Sequence, residues 1–466
     1  MRRAVSMLAL KSVAVTVALL VANACGVGQT QNPSPVQLAT YLATKGRTAY
    51  FAGERLPATG GEAKPAVLWT AHAPGSISAQ PLVAGGLVYW SSWDGYERAT
   101  TATGTLVWST DLGRATDARC DPPSAGVAGT PTLALVAGAP VLYVGGGNAE
   151  LFALNAQTGS IIWKTTVGTT PAEFIWGSPA LYESSLYIGV SAFGECTPSS
   201  GRLLRLNADT GAIRNVFEVV PRGCTGGGIW GSPAVDAAAG LVYVATGDSD
   251  AADCSQPTPY AQALVALRAA DLRPLDVWQV PMQDRVPDGD FGATVTLFSA
   301  PIDGQQRPLV GVANKNGVYY AFDRSRIGRG PIWQSTVARG GPCPYCGDGS
   351  IASSSFDGTA LYVAGGATTI GGAKCPGGLR ALDPATGASK WQLCLTGGPV
   401  LAAVISTPGL VLAGSGHDLI GAASRTGELV YKFADSDLRA AFLAPAWVDR
   451  GVAYAATSGG NLYALK

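Results

Sequence analysis

Three carboxylates follow glycine residues in turn-like stretches of the sequence, and residues of this type could bind a hard cation. They are Glu195 in Phe-Gly-Glu, Asp248 in Thr-Gly-Asp and Asp290 in Asp-Gly-Asp. Calcium takes oxygen ligands, and a carboxylate supplies charge as well as oxygen. Plainer interpretations stay open, with Glu195 as a solvated loop residue beside Cys196 and Asp248 as a turn residue. Asp288, two residues before Asp290, is predicted to be a turn residue.

One lysine and one tryptophan stand in similarly glycine-rich surroundings. Lys315 precedes Asn316 and a glycine at the start of an apolar run, and a lysine that is buried there would need a hydrogen-bond acceptor. The alternative is an Asn-Gly hairpin turn that leaves Lys315 exposed. Trp230 lies in Gly-Gly-Ile-Trp-Gly, and Trp176 lies in a twin Ile-Trp-Gly-Ser-Pro sequence that could simply begin a repeat.

The composition indicates a turn-rich protein with a sizeable core and few charges. The 466 residues include 61 glycines and 30 prolines, 47% are hydrophobic and only 14% are charged. A typical soluble domain carries about 25% charged residues. The formal net charge is zero, so there is no electrostatic reason to expect nucleic acid or an acidic membrane surface as a partner.

The N-terminal segment predicts export. Basic residues precede an apolar run at 12–22, and a small-x-small cleavage sequence occupies 22–24. Residues 1–24 are therefore predicted to be a signal peptide, and Cys25 becomes a candidate lipid anchor. The expected location is the cell envelope, periplasmic or extracellular.

The other eight cysteines are an even number, which in an exported chain suggests disulfides whose pairing the sequence leaves open. Cys343 and Cys346 could form a redox pair, but no strand-then-helix pattern surrounds them, so a local loop staple is the better interpretation. Gly347 stands where a c-type haem site needs a histidine, and no haem is expected.

A repeated segment organises most of the chain. Its second strand ends in Ala-Leu-Asp or a close variant, followed by Thr-Gly-x-x-x-Trp, and the clearest copies end at Trp163 and Trp391. The aromatic anchors recur every ~40–60 residues, and propeller blades have a basic period of roughly 40 to 50 residues. The eight anchors are Trp69, Trp108, Trp163, Phe217, Trp278, Trp333, Trp391 and Tyr431.

These repeats predict an all-β, eight-bladed β-propeller of four-stranded blades. The strand-like runs are short, rich in β-branched and aromatic residues and bounded by glycine, and no long amphipathic helix is indicated. No anchor follows the last run at 461–465, so the strand at 66–69 is predicted to complete the last blade and remove the exposed edge. Residues 25–65 are then an arm or linker, and residues 66–466 form the propeller.

The signature resembles the tryptophan-docking repeat of pyrroloquinoline quinone (PQQ)-dependent dehydrogenases over about residues 66–466. The glycine-rich stretches also resemble, in chain order, the active-site loops of quinoprotein alcohol dehydrogenases, including polyvinyl alcohol dehydrogenase-like proteins. The resemblance implies calcium ligands at Glu195, Asp248 and Asp290, although the family usually has Asn at the position of Asp248. Gly292 stands where lanthanide-using members have a further Asp, which favours calcium.

The same resemblance implies roles for the cofactor contacts. Trp230 would form the floor beneath PQQ, Lys315 and Asn316 would bind the cofactor, and Asp290 would act as general base toward an alcohol. Many members cover the quinone with a disulfide between adjacent cysteines. This chain has no Cys-Cys pair, and the single Cys120 near that position is a candidate partner of Cys196.

Two functions from different classes follow. The first is an exported quinoprotein dehydrogenase that oxidises an alcohol with PQQ and calcium and passes electrons to an external acceptor, such as an exported cytochrome c. The second is a cofactor-free propeller lipoprotein that serves as a protein-interaction scaffold in the envelope, because such propellers share the repeat. Convergence of the three carboxylates with Lys315 and Trp230 would favour the enzyme.

Overall fold

The computed structural model describes residues 35–56, 64–194, 196–250 and 254–466. The predicted signal peptide, Cys25 and Glu195 lie outside the described residues. The propeller belongs to a single compact unit, residues 34–466. Within the described residues, three single-turn 3-10 helices, Met282–Asp284, Ile327–Arg329 and Pro344–Cys346, interrupt an otherwise all-β fold. In the described part of the chain, no helix is long and apolar enough to span a bilayer.

The strands are short and follow one another closely. The first nineteen are β1 (Val36–Ala39), β2 (Val67–His72), β3 (Leu82–Ala84), β4 (Leu87–Ser91), β5 (Tyr96–Thr101), β6 (Leu106–Asp111), β7 (Ala115–Thr116), β8 (Ser124–Ala125), β9 (Thr132–Val136), β10 (Ala139–Gly145), β11 (Glu150–Asn155), β12 (Ile161–Thr166), β13 (Glu173–Phe174), β14 (Ala180–Tyr182), β15 (Ser185–Ala192), β16 (Arg202–Asn207), β17 (Ile213–Glu218), β18 (Ala234–Asp236) and β19 (Leu241–Ala245). The remaining nineteen are β20 (Ala263–Arg268), β21 (Pro274–Gln279), β22 (Thr296–Ile302), β23 (Gln305–Ala313), β24 (Val318–Asp323), β25 (Trp333–Thr336), β26 (Ser355–Phe356), β27 (Leu361–Gly365), β28 (Thr368–Ile370), β29 (Ala373–Cys375), β30 (Gly377–Leu382), β31 (Ser389–Leu395), β32 (Ile405–Thr407), β33 (Leu410–Ser415), β34 (Asp418–Ala423), β35 (Leu429–Ala434), β36 (Trp447–Asp449), β37 (Val452–Ala456) and β38 (Asn461–Leu465).

Eight antiparallel sheets form the blades of a β-propeller, which confirms the predicted fold. In chain order the blades are β3–β6, β9–β12, β14–β17, β18–β21, β22–β25, β26-β27-β30-β31, β32–β35, and β36–β38 with β2. The eighth blade is completed by β2, which pairs with β38 from Val67↔Leu465 to His72↔Asn461. The predicted closure of the last blade by the N-terminal strand is therefore confirmed.

Within each blade the inner strands are buried and the outermost strand is largely exposed to solvent. The second strands, such as β10 and β27, are buried on both faces over most of their length, which explains their continuous apolar runs. The outer strands, such as β12 and β17, are exposed at most positions. In these two strands, the anchor residues Trp163 and Phe217 are among the few side chains that are not exposed.

The repeat signature is explained by how one blade docks on the next. The indole N–H of Trp391 donates to the carbonyl of Ser424 in the following blade at 2.8 Å, and that of Trp163 donates to Ala208 at 3.2 Å. The ring of Trp391 lies on Gly427, where a Cβ would come within 2.6 Å of the indole. The ring of the preceding blade's tryptophan therefore packs directly against the glycine of Thr-Gly, where a side chain would clash with it.

The described arm before β2, residues 35–56, lies at the centre of the ring. Strand β1 adds a fifth strand to the second blade by pairing with β9, the innermost strand of that blade. Farther along, the backbone N–H of Phe51 donates to the carbonyl of Ser406, in the innermost strand of the seventh blade, at 2.9 Å. The arm thus contacts blades on opposite sides of the axis.

Four disulfides connect the eight cysteines outside the N-terminal segment. The Cys120–Cys196 pair and the local Cys343–Cys346 staple agree with the predictions. The other two pairs are Cys224–Cys254 and Cys375–Cys394.

Candidate active site

Four loops at one end of the propeller carry the chemically capable residues. Trp230 lies between β17 and β18, and Asp288 and Asp290 lie between β21 and β22. Asp248 follows β19, and Lys315 follows β23. Connections from a fourth strand to the next blade and from a second to a third strand emerge at the same end of antiparallel blades. The topology therefore brings together residues that are far apart in sequence.

Three carboxylates converge at this end. One side-chain oxygen from each of Asp248, Asp288 and Asp290 lies within 4.8 Å of the other two. The backbone N–H of Asp248 donates to Oδ1 of Asp290 at 2.7 Å, which fixes the orientation of that carboxylate. Asp288 occupies a turn with a φ of 50°, as predicted, yet its side chain also belongs to the cluster. Its position two residues before Asp290, with Gly289 between, was the only sequence signal.

Lys315 supplies the cation of the cluster. Its Nζ donates to Oδ2 of Asp288 at 2.7 Å and to Oδ2 of Asp290 at 2.9 Å. The residue is only 6% exposed, although the Asn-Gly turn expected after it is present, with Gly317 at a φ of 82°. The alternative of an exposed hairpin lysine is therefore not what the structure shows.

The electrostatics of the cluster follow from burial and crowding. Burial, and then the charge of Asp290, raise the pKa of Asp248 to about 6 and that of Asp288 to about 7. Burial alone would lower the pKa of Lys315, but the two neighbouring carboxylates outweigh it and raise that pKa. Three carboxylates around one ammonium leave excess negative charge, which a bound cation would neutralise.

A cavity of about 330 Å³ opens beside this cluster. Its wall includes both Trp176 and Trp230, and its lining also includes the three carboxylates, Lys315 and two glycines, Gly228 and Gly247. Nζ of Lys315 lies 5.5 Å from the centre of the Trp230 ring, within reach of a cation–π interaction. Volumes from about 300 Å³ upward are typical of sites for organic ligands.

The two tryptophans of the twin sequences have different surroundings. The indole of Trp176 donates to Ala192 at 3.0 Å and stacks nearly parallel to Phe193, with ring centres 6.4 Å apart. Trp230 instead lies against Gly292, where a Cβ would come within 2.1 Å of the indole. A side chain at 292 would therefore displace Trp230, which explains the glycine at that position.

Comparison with known proteins places the chain in a family. A family model described as "Outer membrane protein assembly factor BamB" (PQQ_2) matches residues 37–172, 98–363 and 314–466. The chain belongs to the PQQ_2 family. This membership and the relatives below confirm the resemblance to PQQ-repeat propellers and quinoprotein alcohol dehydrogenases.

Within the curated relatives, two polyvinylalcohol dehydrogenases are similar to this PQQ_2 chain. The one from Pseudomonas sp. is 29% identical over 407 residues, covering 75% of the chain and 60% of that protein. The one from Sphingopyxis sp. (strain 113P3) is 31% identical over 369 residues, covering 70% and 54%. The chain thus spans little more than half the length of these relatives.

A solved structure supports the fold of the PQQ_2 chain. The quinohemoprotein alcohol dehydrogenase from Comamonas testosteroni superposes with a TM-score of 0.73 at 18% identity, covering 92% of this chain and 80% of that one. At this identity the likeness concerns the fold.

Asn316 was predicted to contact the cofactor, but its side-chain amide is hydrogen-bonded to other residues of the protein. Its amide donates to the carbonyl of Asp284 at 3.0 Å and to the hydroxyl of Tyr320 at 2.7 Å. The neighbouring Asn314 has the role that sequence reasoning missed, because its buried amide donates to the carbonyl of Gly289 at 2.8 Å. Asn314 therefore holds the loop that carries Asp288 and Asp290.

The residues present fit the groups that the family resemblance implies. The cavity offers a flat aromatic wall at Trp230 and a buried ammonium at Lys315 for the oxygens of a quinone. The carboxylates of Asp248 and Asp290 are hard oxygen ligands suited to calcium. The cavity lining also includes Asp121, next to Cys120, and Gly194, so the Cys120–Cys196 disulfide joins two loops that line the cavity.

Proposed function

We propose that this protein is an exported quinoprotein dehydrogenase that oxidises an alcohol with PQQ and calcium. The observation that carries the proposal is the position of Lys315, which is buried between Asp288 and Asp290 and faces the ring of Trp230. A scaffold has no need to gather these side chains from four loops at the cost of crowding like charges. The similarity to two polyvinylalcohol dehydrogenases supports the same function.

Each residue then has a distinct task. Asp248 and Asp290, together with Glu195, would hold the calcium ion. Lys315 would bind quinone oxygens, and Trp230 would support the face of the ring. Asp290 also accepts the hydroxyl proton of the alcohol as general base, a role for which its fixed orientation by the Asp248 N–H prepares it.

The overall reaction removes two electrons and two protons from the alcohol carbon and its hydroxyl, giving a carbonyl compound. When bound, PQQ supplies the two-electron acceptor and calcium supplies a Lewis acid for its reactive carbonyl. Through its two hydrogen bonds, Lys315 holds the carboxylates of Asp288 and Asp290 in place at the edge of the cavity. We propose an exported cytochrome c as the external acceptor and Cys25 as a lipid anchor.

The second candidate function is a cofactor-free scaffold in the cell envelope. It is supported by the matching family model, which is described as an outer membrane protein assembly factor. It predicts a folded protein that does not bind PQQ. The enzyme predicts binding that depends on calcium.

The deciding experiment is a titration of the purified apoprotein with PQQ, with and without Ca²⁺, followed by quinone absorbance and by dye reduction with secondary alcohols and polyvinyl alcohol. Asp290→Asn should lower turnover by about 10²- to 10⁴-fold while PQQ still binds. Asp288→Asn, two residues away, is the matched control and should retain turnover within about tenfold. Absence of PQQ binding in folded protein would reject the enzyme, and equal losses in both variants would reject Asp290 as the base.

A further inference from the structure

The N-terminal arm, residues 35–56, forms backbone hydrogen bonds with the innermost strands of the blades that carry the candidate site. The carbonyl of Lys45 accepts a hydrogen bond from the N–H of Val235 at 2.9 Å, and the carbonyl of Gly46 accepts one from Leu297 at 2.8 Å. Val235 belongs to β18 in the fourth blade, and Leu297 belongs to β22 in the fifth. These two strands follow the loops of Trp230 and Asp290, so the arm is coupled to both loops.

Arg47, the next residue of the arm, is fully buried at the axis. Its Nε donates to the carbonyl of Pro233 at 2.9 Å, and one terminal nitrogen donates to the carbonyl of Pro179 at 3.3 Å. The other terminal nitrogen donates to Oγ1 of Thr40 at 2.9 Å and to the carbonyl of Tyr41 at 2.7 Å. The guanidinium therefore bridges two blades and the arm itself.

This arrangement is costly if its purpose is stability alone. Burial lowers the pKa of Arg47 to about 10, and its four acceptors are uncharged oxygens. Replacing a buried charge by an apolar side chain of similar volume is often neutral or stabilising. The geometry of the guanidinium, which holds several carbonyls in fixed directions, is what an apolar residue cannot reproduce.

The two carbonyls that Arg47 bridges belong to prolines at equivalent positions of the two Ile-Trp-Gly-Ser-Pro sequences. Pro179 lies three residues after Trp176, and Pro233 lies three residues after Trp230. Both tryptophans line the cavity beside the carboxylate cluster, and both also line a second, axial cavity of about 140 Å³ whose lining includes Tyr41 of the arm. Arg47 thus fixes the two segments that set the separation of the tryptophans.

Backbone-to-hydroxyl bonds extend this coupling around the axis. The N–H of Ser178 donates to Oγ of Ser232 at 2.8 Å, and the N–H of Ser232 donates to Oγ1 of Thr294 at 2.9 Å. Thr294 lies four residues after Asp290. These hydrogen bonds connect the Pro179 and Pro233 segments to the residues that follow the loop of the proposed base.

We propose that Arg47 is a positioning residue for the candidate active site, and that its guanidinium holds the Trp176 and Trp230 segments at the spacing that the cavity requires. The relevance to cofactor binding rests on the proposed function, whereas the effect on the two tryptophan segments does not.

The test uses the full chain and measures amide hydrogen exchange in Arg47→Met, with peptides that span residues 175–182 and 229–236. Arg380→Met is the matched control, because Arg380 is also buried and donates to a carbonyl and a hydroxyl, those of Val337 and Thr368. Exchange should accelerate by about tenfold at both tryptophan segments in Arg47→Met and stay at the wild-type rate there in Arg380→Met. If wild-type protein binds PQQ, the dissociation constant should rise about 10- to 100-fold in Arg47→Met only.

Acceleration confined to the arm, or equal acceleration in both variants, would overturn the proposal. If Arg47→Met does not fold, Arg47→Lys takes its place, since lysine keeps the charge but cannot bridge both proline carbonyls, and a smaller acceleration at the same two segments is expected. Failure of wild-type protein to bind PQQ would remove the proposed function and leave the exchange result to decide the role of Arg47.

Discussion

Lys315 and Asp290 are joined twice, once through the backbone and once through the side chains. The N–H of Lys315 donates to the carbonyl of Asp290 at 3.1 Å, and Nζ donates to Oδ2 of Asp290 at 2.9 Å. The loop that precedes the fifth blade and the loop between its second and third strands are thereby held in one geometry. A displacement of either loop as a whole would break both contacts.

Substituting this lysine should expose the repulsion within the cluster. Lys315→Met removes the cation between Asp288 and Asp290 and should lower the free energy of unfolding at pH 8 by about 3 kcal/mol, the usual cost of leaving a buried charge unpaired. Because protonated carboxylates no longer repel, the loss should shrink as the pH falls to 5. Urea unfolding at both pH values measures this, with Lys315→Arg as the charge-conserving control. A loss that does not change with pH would contradict the electrostatic explanation.

Calcium binding should weaken in acid. The pKa values of Asp248 and Asp288 are raised to about 6 and about 7, so these groups carry protons in the cation-free protein at mildly acidic pH. A cation must displace those protons, and its affinity should therefore fall as the pH drops from 8 to 5.5. Calorimetry at several pH values in buffers of different ionisation enthalpy would detect the released protons. Asp248→Asn should flatten the pH dependence, and an unchanged slope in that variant would exclude Asp248 from the site.

A buried glutamate in the first blade should make the protein less stable at alkaline pH. Glu97 is fully buried, and burial raises its pKa to about 8, since the hydroxyl of Ser91 and the charge of Arg98 compensate only in part. The folded state prefers the protonated form, so stability is retained below the unfolded pKa of about 4.5 and is lost as the pH rises from there to about 8.

Glu97→Gln removes this dependence. At pH 8 the variant should be more stable than the wild type by about 4 kcal/mol, and at pH 4 the two should differ by less than about 1 kcal/mol. Urea unfolding at pH 4, 6 and 8 provides the comparison. An advantage of the same size at every pH would mean that folding does not raise the pKa of Glu97.

The glycine that receives a docking tryptophan should tolerate no side chain. Gly427→Ala places a Cβ within 2.6 Å of the Trp391 ring at a φ of 75°, and we expect a loss of at least about 2 kcal/mol in unfolding free energy. Gly409→Ala is the control, because Gly409 has a φ of 91° with nothing within 4 Å of its added Cβ. It should show the backbone cost alone, about 1 kcal/mol. Equal losses in thermal or urea unfolding would show that docking contributes nothing.

The sequence predicts what is local and repeated. The Thr-Gly-x-x-x-Trp signature, to which Trp391 and Gly427 belong, recurs in several blades and predicts them. The strand at 461–465 has no anchor after it, which indicates that the strand at 66–69 is its partner. The local sequence of Asp288 predicts only a turn, because its second role depends on Lys315 from the next loop. The course of the arm could not be predicted, since it is held largely by carbonyls, such as that of Gly46, which leave no side-chain pattern.

The pairing of β2 with β38 determines how the protein can come apart. In an open array of repeats, the terminal units can unfold one at a time, so the ends fray while the middle survives. Here the first and last strands of the ring share a sheet, from Val67↔Leu465 to His72↔Asn461, so each is hydrogen-bonded to the other. The eighth blade therefore cannot unfold without separating β2 from β38, and that separation removes the closure of the ring for every blade.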